Sequence, residues 1–186
     1  MKNKTRKNNK ERVFTEEDYN SKEGFLTKIW GPNFWHTLHI ISCNYPVNPT
    51  EADKKHYRDY ILSLKYILPC GKCRENLREN FKKLPLKKSH MKDRESFSRY
   101  VYDLHEIINK MLCKKSGLSF EDVKERYEHF RSRCTKKKRS TVKKHTGCVV
   151  PLYGKKSKCV LRIVPEEEKC ETLEIDKKCL TPLRIS

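Results

Sequence analysis

Residues 30–39 read WGPNFWHTLH, and this stretch decides the fold that we expect for the chain. Pro32 suits the first turn of a helix, because the N–H group that proline lacks has no helical partner there. The apolar residues of 34–42 then recur at the spacing of one helix face. Trp35 and His39 are four residues apart, so they share a face. The stretch therefore predicts a helix that begins near Pro32 and carries these two rings side by side.

Four further segments have helical periodicity, and short loops connect them. They cover residues 51–67, 70–83, 93–112 and 119–134. Residues 84–92 are predicted to form a loop. Four longer helices and one short helix with short connections are typical of a compact bundle. We therefore predict an all-α protein, namely a four-helix bundle with a short fifth helix.

Composition divides the chain into a helical domain and tails. The 186 residues carry a formal net charge of +19, and 36% of them are charged, so the core cannot extend through the whole length. We predict a basic tail over residues 1–24, the helical domain over 25–134, a basic linker over 135–147 and a Cys-containing appendage with short β-type runs over 148–186. The basic runs favour either solubility or weak polyanion binding, and both interpretations stay open.

Nine cysteines occur in a chain without the pattern of a secretory signal. No apolar run approaches the roughly 18 residues of a membrane span, so we expect no membrane association. Cytosolic chains seldom keep structural disulfides, which leaves metal binding or redox chemistry as the role of the cysteines. A zinc ribbon would usually add a second CxxC or a histidine pair, and neither is present. Redox chemistry is the preferred interpretation, and we expect no metal site.

Cys70 and Cys73 form the one CxxC pair, at the start of the predicted third helix. Backbone N–H groups and the positive end of the helix dipole favour the thiolate that attacks a disulfide. A thioredoxin would place the pair between a strand and a helix, whereas here a helix precedes it. Side chains do not pass two electrons to oxygen readily, so a cofactor is implied. The pairs Trp35/His39 and His105/Asn109 either flank a planar ligand or are ordinary packing.

Four pieces of the chain occur in the order and spacing of one family. They are residues 30–39, Tyr45-Pro46, the LPCGKC of residues 68–73 and the LHEIIN of residues 104–109. The chain resembles the Erv/ALR sulfhydryl oxidases over about residues 28–134. It is most similar to the forms carried by large cytoplasmic DNA viruses, because the compact domain ends in residues 118–122, which lead to Tyr127.

The resemblance implies an enzyme that makes protein disulfides from dithiols and reduces oxygen to hydrogen peroxide. It implies noncovalent FAD in the mouth of the bundle, a homodimer, a dithiol protein substrate of thioredoxin-like type, and a place in the host cytoplasm, virus factory or virion. Cys73 would lie next to the flavin, and Cys70 would exchange with the incoming thiol. By the same comparison, the residues that line FAD are Gly31, Trp35, His39, Tyr45, Cys73, His105, Ile108, Asn109, Leu112, Lys114, Lys115 and Tyr127.

Two features are not explained by the family pattern alone. Glu106 stands where the family usually has asparagine, which puts one polar contact in doubt. The appendage contains four cysteines that either shuttle electrons to the active pair or are incidental thiols: Cys148, Cys159, Cys170 and Cys179. The competing functions are a zinc module built from Cys70, Cys73 and tail cysteines, and a basic nucleic-acid-associated structural protein. The first would be colourless with stoichiometric zinc, and the second would bind DNA with steep salt dependence.

Deletion of residues 136–186 is expected to leave the oxidation of a small dithiol intact, because the predicted cofactor site and the CxxC lie before the deletion. The measurement is dithiothreitol oxidation by the truncated and full-length proteins. Loss of FAD from the truncated protein would count against this prediction.

Overall fold

The structure, a computed structural model, describes residues 15–133, 150–151, 158–160, 162–164 and 167–168. The described α-helices are α1 (Glu16–Asn20), α2 (Thr27–Cys43), α3 (Glu51–Ile67), α4 (Gly71–Lys83), α5 (Arg94–Met111) and α6 (Phe120–Glu128). A 3-10 helix covers Lys88–Met91, and the two-residue strands β1 (Ser132–Arg133) and β2 (Val150–Pro151) pair antiparallel. The prediction of a helical protein is confirmed. Of the described helices, none is both long and apolar enough to cross a bilayer.

Polar caps determine where three of the helices begin. The Thr50 hydroxyl accepts from the Asp53 N–H, while the Asp53 carboxylate accepts from the Thr50 N–H. Ser119 and Asp122 make the same reciprocal pair at the start of α6. Asp93 caps α5 by accepting from the Ser96 N–H at 2.8 Å. Such caps satisfy N–H groups that have no partner inside the helix, so helix starts at these positions are readable from sequence.

The start of α2 differs from the prediction. The helix begins at Thr27, and Pro32 lies inside it rather than in its first turn. The reason is tertiary, because the segment before the helix is held by the Phe25 N–H, which donates to the Pro69 carbonyl at 2.7 Å. A proline inside a helix removes one helical hydrogen bond. The Phe25–Pro69 backbone contact holds the turn that precedes Pro32, residues 27–31, in the helix despite this loss. The predicted loop of residues 84–92 also contains the 3-10 helix.

The core lies where α5 packs against α2, α4 and α6, while α3 packs on α4. The buried residues at its centre are mostly aliphatic and aromatic, and they come from every long helix: Leu38, Ile61, Leu64, Leu77, Phe97, Tyr100, Val101 and Leu104. Burial of this apolar surface is the main favourable term in folding.

Tyr45 anchors the turn after α2. Its side chain is fully buried, with ring centroids 4.8 Å from Tyr57 and 4.7 Å from Phe97. Its hydroxyl donates to the Met91 carbonyl at 2.9 Å, and its own carbonyl accepts from Arg94 Nε at 2.6 Å. The residue therefore ties the end of α2 to the 3-10 helix and to α5.

Tyr45→Phe is expected to lower the free energy of unfolding by about 1–3 kcal/mol, because the ring packing stays while the buried Met91 carbonyl loses its donor. Urea denaturation measures the change. Tyr66→Phe is the matched control, since Tyr66 is exposed and its change should stay within about 0.5 kcal/mol. Equal effects of the two substitutions would contradict the role of the Tyr45 hydroxyl.

Candidate active site

A disulfide joins Cys70 and Cys73 at the N-terminus of α4, with 5.2 Å between their Cα atoms. Cys70 is the N-cap residue of this helix, and its Sγ accepts from the Cys73 N–H at 3.1 Å. Cys70 is only 8% exposed, whereas Cys73 is half-buried. The positive end of the helix dipole lies beside both sulfurs and favours negative charge on them.

Residues 22–25 form an N-terminal strap that pairs with the loop before α4. Gly24 and Cys70 form an antiparallel bridge, and the Gly71 N–H donates to the Lys22 carbonyl at 3.1 Å. Gly24 has a φ of +76°, and a Cβ there would lie 2.3 Å from the Pro69 carbonyl oxygen. A Cβ on Gly71 would lie 2.2 Å from the Lys22 oxygen. Both glycines are therefore required for this close approach.

The strap was missed by sequence reasoning, which placed residues 1–24 in a basic tail. Gly24 is the single local signal, since an isolated glycine can mark a close backbone approach, but it does not name its partner. The strap leads into Thr27, the first residue of α2. The Thr27 hydroxyl lies 3.5 Å from Cys73 Sγ and 3.9 Å from Cys70 Sγ.

A cluster of stacked rings lies between α2, α5 and α6. Trp35 stacks on His105 with centroids 3.9 Å apart and an angle of 5° between planes. His39 stacks on Tyr127 at 5.1 Å, and its Nε2 is 3.0 Å from His105 Nδ1. His36 Nδ1 lies 3.3 Å from the Tyr127 hydroxyl. The structure thus brings four of the predicted cofactor residues into direct contact: Trp35, His39, His105 and Tyr127. His36, which was not predicted at the site, joins the same cluster.

The two most deeply buried histidines of this cluster, His39 and His105, are neutral at neutral pH. Burial lowers the pKa of His39 to about 3, helped by the neighbouring His105 and His36, and burial lowers the pKa of His105 to about 4. One imidazole therefore donates and the other accepts in the bond between them. Burial also raises the pKa of the Tyr127 phenol. The cluster presents flat rings and polar atoms without net charge.

Five more of the predicted residues lie farther along α5 or just after it. Ile108 packs against the core. The Asn109 side-chain amide donates to Glu106 Oε1 at 2.9 Å, and the Asn109 carbonyl accepts from the Lys114 N–H at 2.8 Å. Glu106 thus orients the Asn109 side chain, and the effect of Glu106 on cofactor contact stays a prediction. Leu112, Lys114 and Lys115 are exposed at the end of α5.

Two other predicted residues are buried. Gly31 lies in α2, where a Cβ would meet the Thr27 methyl carbon at 3.3 Å. Tyr45 has no surface available to a ligand in this arrangement. Its place at a cofactor stays a prediction.

An aromatic row on α2 leads from Trp30 to the ring cluster. Ring centroids are 5.9 Å apart between Trp30 and Phe34, and 6.5 Å apart between Phe34 and Trp35. Thr27 lies at the disulfide end of the same helix, about 12 Å of helix rise before Trp35. Within residues 15–133 and the short described pieces beyond, no group of three or more His, Cys, Asp or Glu comes together as metal ligands would.

The sequence pattern of the Erv1/Alr family matches residues 32–128, just over half of the chain. The chain belongs to this family. The crystal structure of the yeast Erv1 core shares its fold, with a TM-score of 0.50 and 21% identity over 59% of this chain and 89% of that one. The Erv1/Alr region therefore contains α2 from Pro32 onward and α3 to α6, including the CxxC and the ring cluster.

Viral relatives share the Erv1/Alr region. A protein of Acanthamoeba polyphaga mimivirus, named as a probable FAD-linked sulfhydryl oxidase, is 38% identical over 86 residues, or 46% of this chain. The chain spans 60% of that protein's length. The FAD-linked sulfhydryl oxidase of African swine fever virus, Tick/Malawi isolate, is 32% identical over 99 residues, which are 53% of this chain and 80% of that protein.

Of the four appendage cysteines, only Cys159 lies among the described residues, and it is an exposed free thiol. Cys148, Cys170 and Cys179 lie outside them. Their use as an electron shuttle stays a prediction.

The buried histidines predict a pH-dependent stability. Below pH 6.5, the ordinary pKa of histidine, His39 and His105 are protonated in the unfolded chain. In the folded chain they stay neutral until the pH reaches their lowered pKa values. The free energy of unfolding should therefore fall as the pH falls through this window, by about 1.4 kcal/mol per pH unit for each histidine.

Urea denaturation from about pH 7 to about pH 5 measures this slope. His105→Gln should reduce the slope, while His56→Gln, at an exposed position, should leave it unchanged. An unaltered slope in the His105 variant would show that this imidazole does not resist protonation.

Proposed function

We propose that this chain is a FAD-dependent sulfhydryl oxidase, which converts a dithiol and oxygen into a disulfide and hydrogen peroxide. The observation that carries the proposal is the Cys70–Cys73 disulfide at a helix N-terminus, in contact with Thr27 of α2, the same helix that carries Trp35 into a cluster of stacked rings. These features occur in the part of the chain that belongs to the Erv1/Alr family.

The residues of the ring cluster suit a flavin. Trp35, His105 and Tyr127 offer flat faces for a planar conjugated ligand, and the neutral His39–His105 pair offers hydrogen bonds without a competing charge. The exposed Lys114 and Lys115 at the end of α5 suit the phosphates. When bound, FAD supplies the two-electron chemistry with oxygen that protein side chains lack.

The thiol–disulfide steps use the active pair alone. A substrate thiolate attacks Cys70 Sγ, the Cys70–Cys73 bond breaks, and Cys73 leaves as a thiolate. The second substrate thiol, after losing its proton, attacks the sulfur bound to Cys70. The substrate disulfide forms, and Cys70 is released reduced. Two electrons thus move from the substrate dithiol to the active pair.

The positions of the two sulfurs assist this exchange. The N-terminus of α4 and the Cys73 N–H stabilise negative charge at the pair, which makes Cys73 a good leaving group. Cys73, which we place next to the flavin, then holds the electrons as a thiolate. Because Cys70 is 8% exposed, a substrate thiol reaches its sulfur through a narrow approach.

The physiological setting extends the proposal. We infer a dithiol protein substrate of thioredoxin-like type, a homodimer, and a place in the host cytoplasm, virus factory or virion. The proposal for the substrate rests on the CxxC chemistry. The proposals for the dimer and the location rest on likeness to viral members of the family.

The absorption spectrum of the purified protein tests the cofactor. We expect the bands of oxidised flavin, which should bleach when dithiothreitol is added without air and should return in air with formation of hydrogen peroxide. A spectrum without these bands, even after FAD is added, would overturn the proposal. A zinc assay would then be the next measurement.

Cysteine variants test the roles of the two sulfurs. Cys73→Ser is expected to keep the flavin and to lose dithiol oxidation. When the variant is given oxidised glutathione, the Cys70 thiolate should attack that disulfide and form a mixed disulfide, with one glutathione thiolate leaving, and mass spectrometry detects the adduct. Cys70→Ser should also lose activity but trap no such adduct with Cys73. Cys113→Ser, which removes an exposed free thiol, is the control and should keep activity. Adducts on Cys73 instead of Cys70 would reverse the assignment.

A further inference from the structure

Thr27 makes a contact with the active pair that the exchange steps above do not use. Its hydroxyl oxygen is 3.5 Å from Cys73 Sγ, closer than the 3.9 Å to Cys70 Sγ. A disulfide sulfur carries no hydrogen, so Thr27 is the donor in this contact. Thr27 also lies before residues 32–128, the segment that matches the Erv1/Alr family.

The N-terminal strap determines the position of Thr27. Backbone hydrogen bonds attach the strap to both sides of Cys70, through Phe25 to Pro69 at 2.7 Å and through Gly71 to Lys22 at 3.1 Å. The absence of a Cβ at Gly24 and Gly71 allows this approach. Two residues after the strap, the chain enters α2 at Thr27. Backbone contacts therefore hold the residue that carries this hydroxyl next to the two sulfurs.

We propose that Thr27 stabilises the Cys73 thiolate of the reduced enzyme by donating a hydrogen bond to its sulfur, and that the strap exists to position this donor. When a substrate dithiol reduces the pair, the S–S bond breaks and Cys73 gains the negative charge. A neutral donor that contacts the sulfur before reduction makes a stronger bond to it afterwards, because the acceptor is now charged. This inference rests on the proposed function, since it assigns a helper to the Cys73 thiolate.

The consequence is a lower pKa for the Cys73 thiol and a more easily reduced disulfide. A hydrogen bond to a charged acceptor is stronger than one to a neutral acceptor, and partial exposure of the site reduces the gain. The expected shift of the Cys73 pKa is about one unit. The equilibrium constant for reduction of the pair by dithiothreitol should change by up to about tenfold in the same sense.

The first experiment measures the Cys73 pKa in a Cys70→Ser background. Serine is a good N-cap, so this change keeps the start of α4 while leaving Cys73 as the only thiol of the pair. The reduced protein is alkylated with iodoacetamide over a range of pH, and mass spectrometry follows the peptide that contains Cys73. Thr27→Val should raise the Cys73 pKa by about one unit. Thr27→Ser, which keeps the hydroxyl, should leave the Cys73 pKa at its value with Thr27.

Matched variants separate this effect from loss of structure. Thr37→Val removes another exposed hydroxyl of α2, one that donates to the Asn33 carbonyl at 2.9 Å, and should leave the Cys73 pKa unchanged. Gly24→Ala should displace the strap and raise the pKa as Thr27→Val does. An unchanged Cys73 pKa in Thr27→Val would overturn the proposal, as would an equal rise in Thr37→Val or in Thr27→Ser.

The alkylation assay needs neither flavin nor oxygen. A shifted pKa in a protein that binds no FAD would support the Thr27 contact while sinking the oxidase proposal. An unchanged Cys73 pKa in an active flavoprotein would overturn the role of Thr27 while supporting the oxidase proposal.

Discussion

The packing of α2 against α5 is the contact on which the rest of the structure depends. It buries Leu38 and Leu104 at the centre of the core, and it lays Trp35 flat on His105. Because α2 also carries Thr27 at its first turn, the same helix contacts the disulfide at one end and the ring cluster farther along. A change in the relative rotation of these two helices would separate the rings and move the hydroxyl away from the sulfur. Core packing and site geometry therefore cannot be altered independently.

The ring cluster places two histidines in an environment that opposes their protonation. Burying imidazoles is tolerated here because each supplies the hydrogen-bond partner of the other, at 3.0 Å. The neutral pair keeps positive charge away from the faces where a planar ligand would stack. Positive charge lies instead at the helix end, on Lys114 and Lys115. Positive charge is thus kept out of the ring cluster itself.

Local signals in the sequence predicted much of the fold and less of the site. The second predicted helix, residues 51–67, has the same bounds in the structure, because a reciprocal cap begins it and Pro69 follows its end. The CxxC and the pairing of Trp35 with His39 were also visible, since spacing alone determines them. The stacking of Trp35 on His105 could not be predicted, because it depends on how α2 and α5, which are far apart in sequence, pack together.

The strap and Thr27 could not be predicted for a similar reason. Backbone pairing between residues 22–25 and the loop before Cys70 joins segments more than forty residues apart, and it leaves no periodic pattern in either. That pairing also moved the start of α2 ahead of Pro32, against the local preference of proline. A tertiary backbone contact therefore explains the early start of α2. The fifth helix, predicted over residues 119–134, ends at Glu128 and is followed by β1.

The close approach of the strap also limits how this chain could diversify. In CxxC proteins, the two residues between the cysteines are a natural place for redox properties to be adjusted, because they lie next to both sulfurs. In this chain the first of them, Gly71, has no room for a side chain while Lys22 lies above it. Lys72 is exposed and pairs with Glu75, 3.2 Å away, so it remains variable. A lineage that kept the strap would be left with one adjustable position where related redox proteins have two.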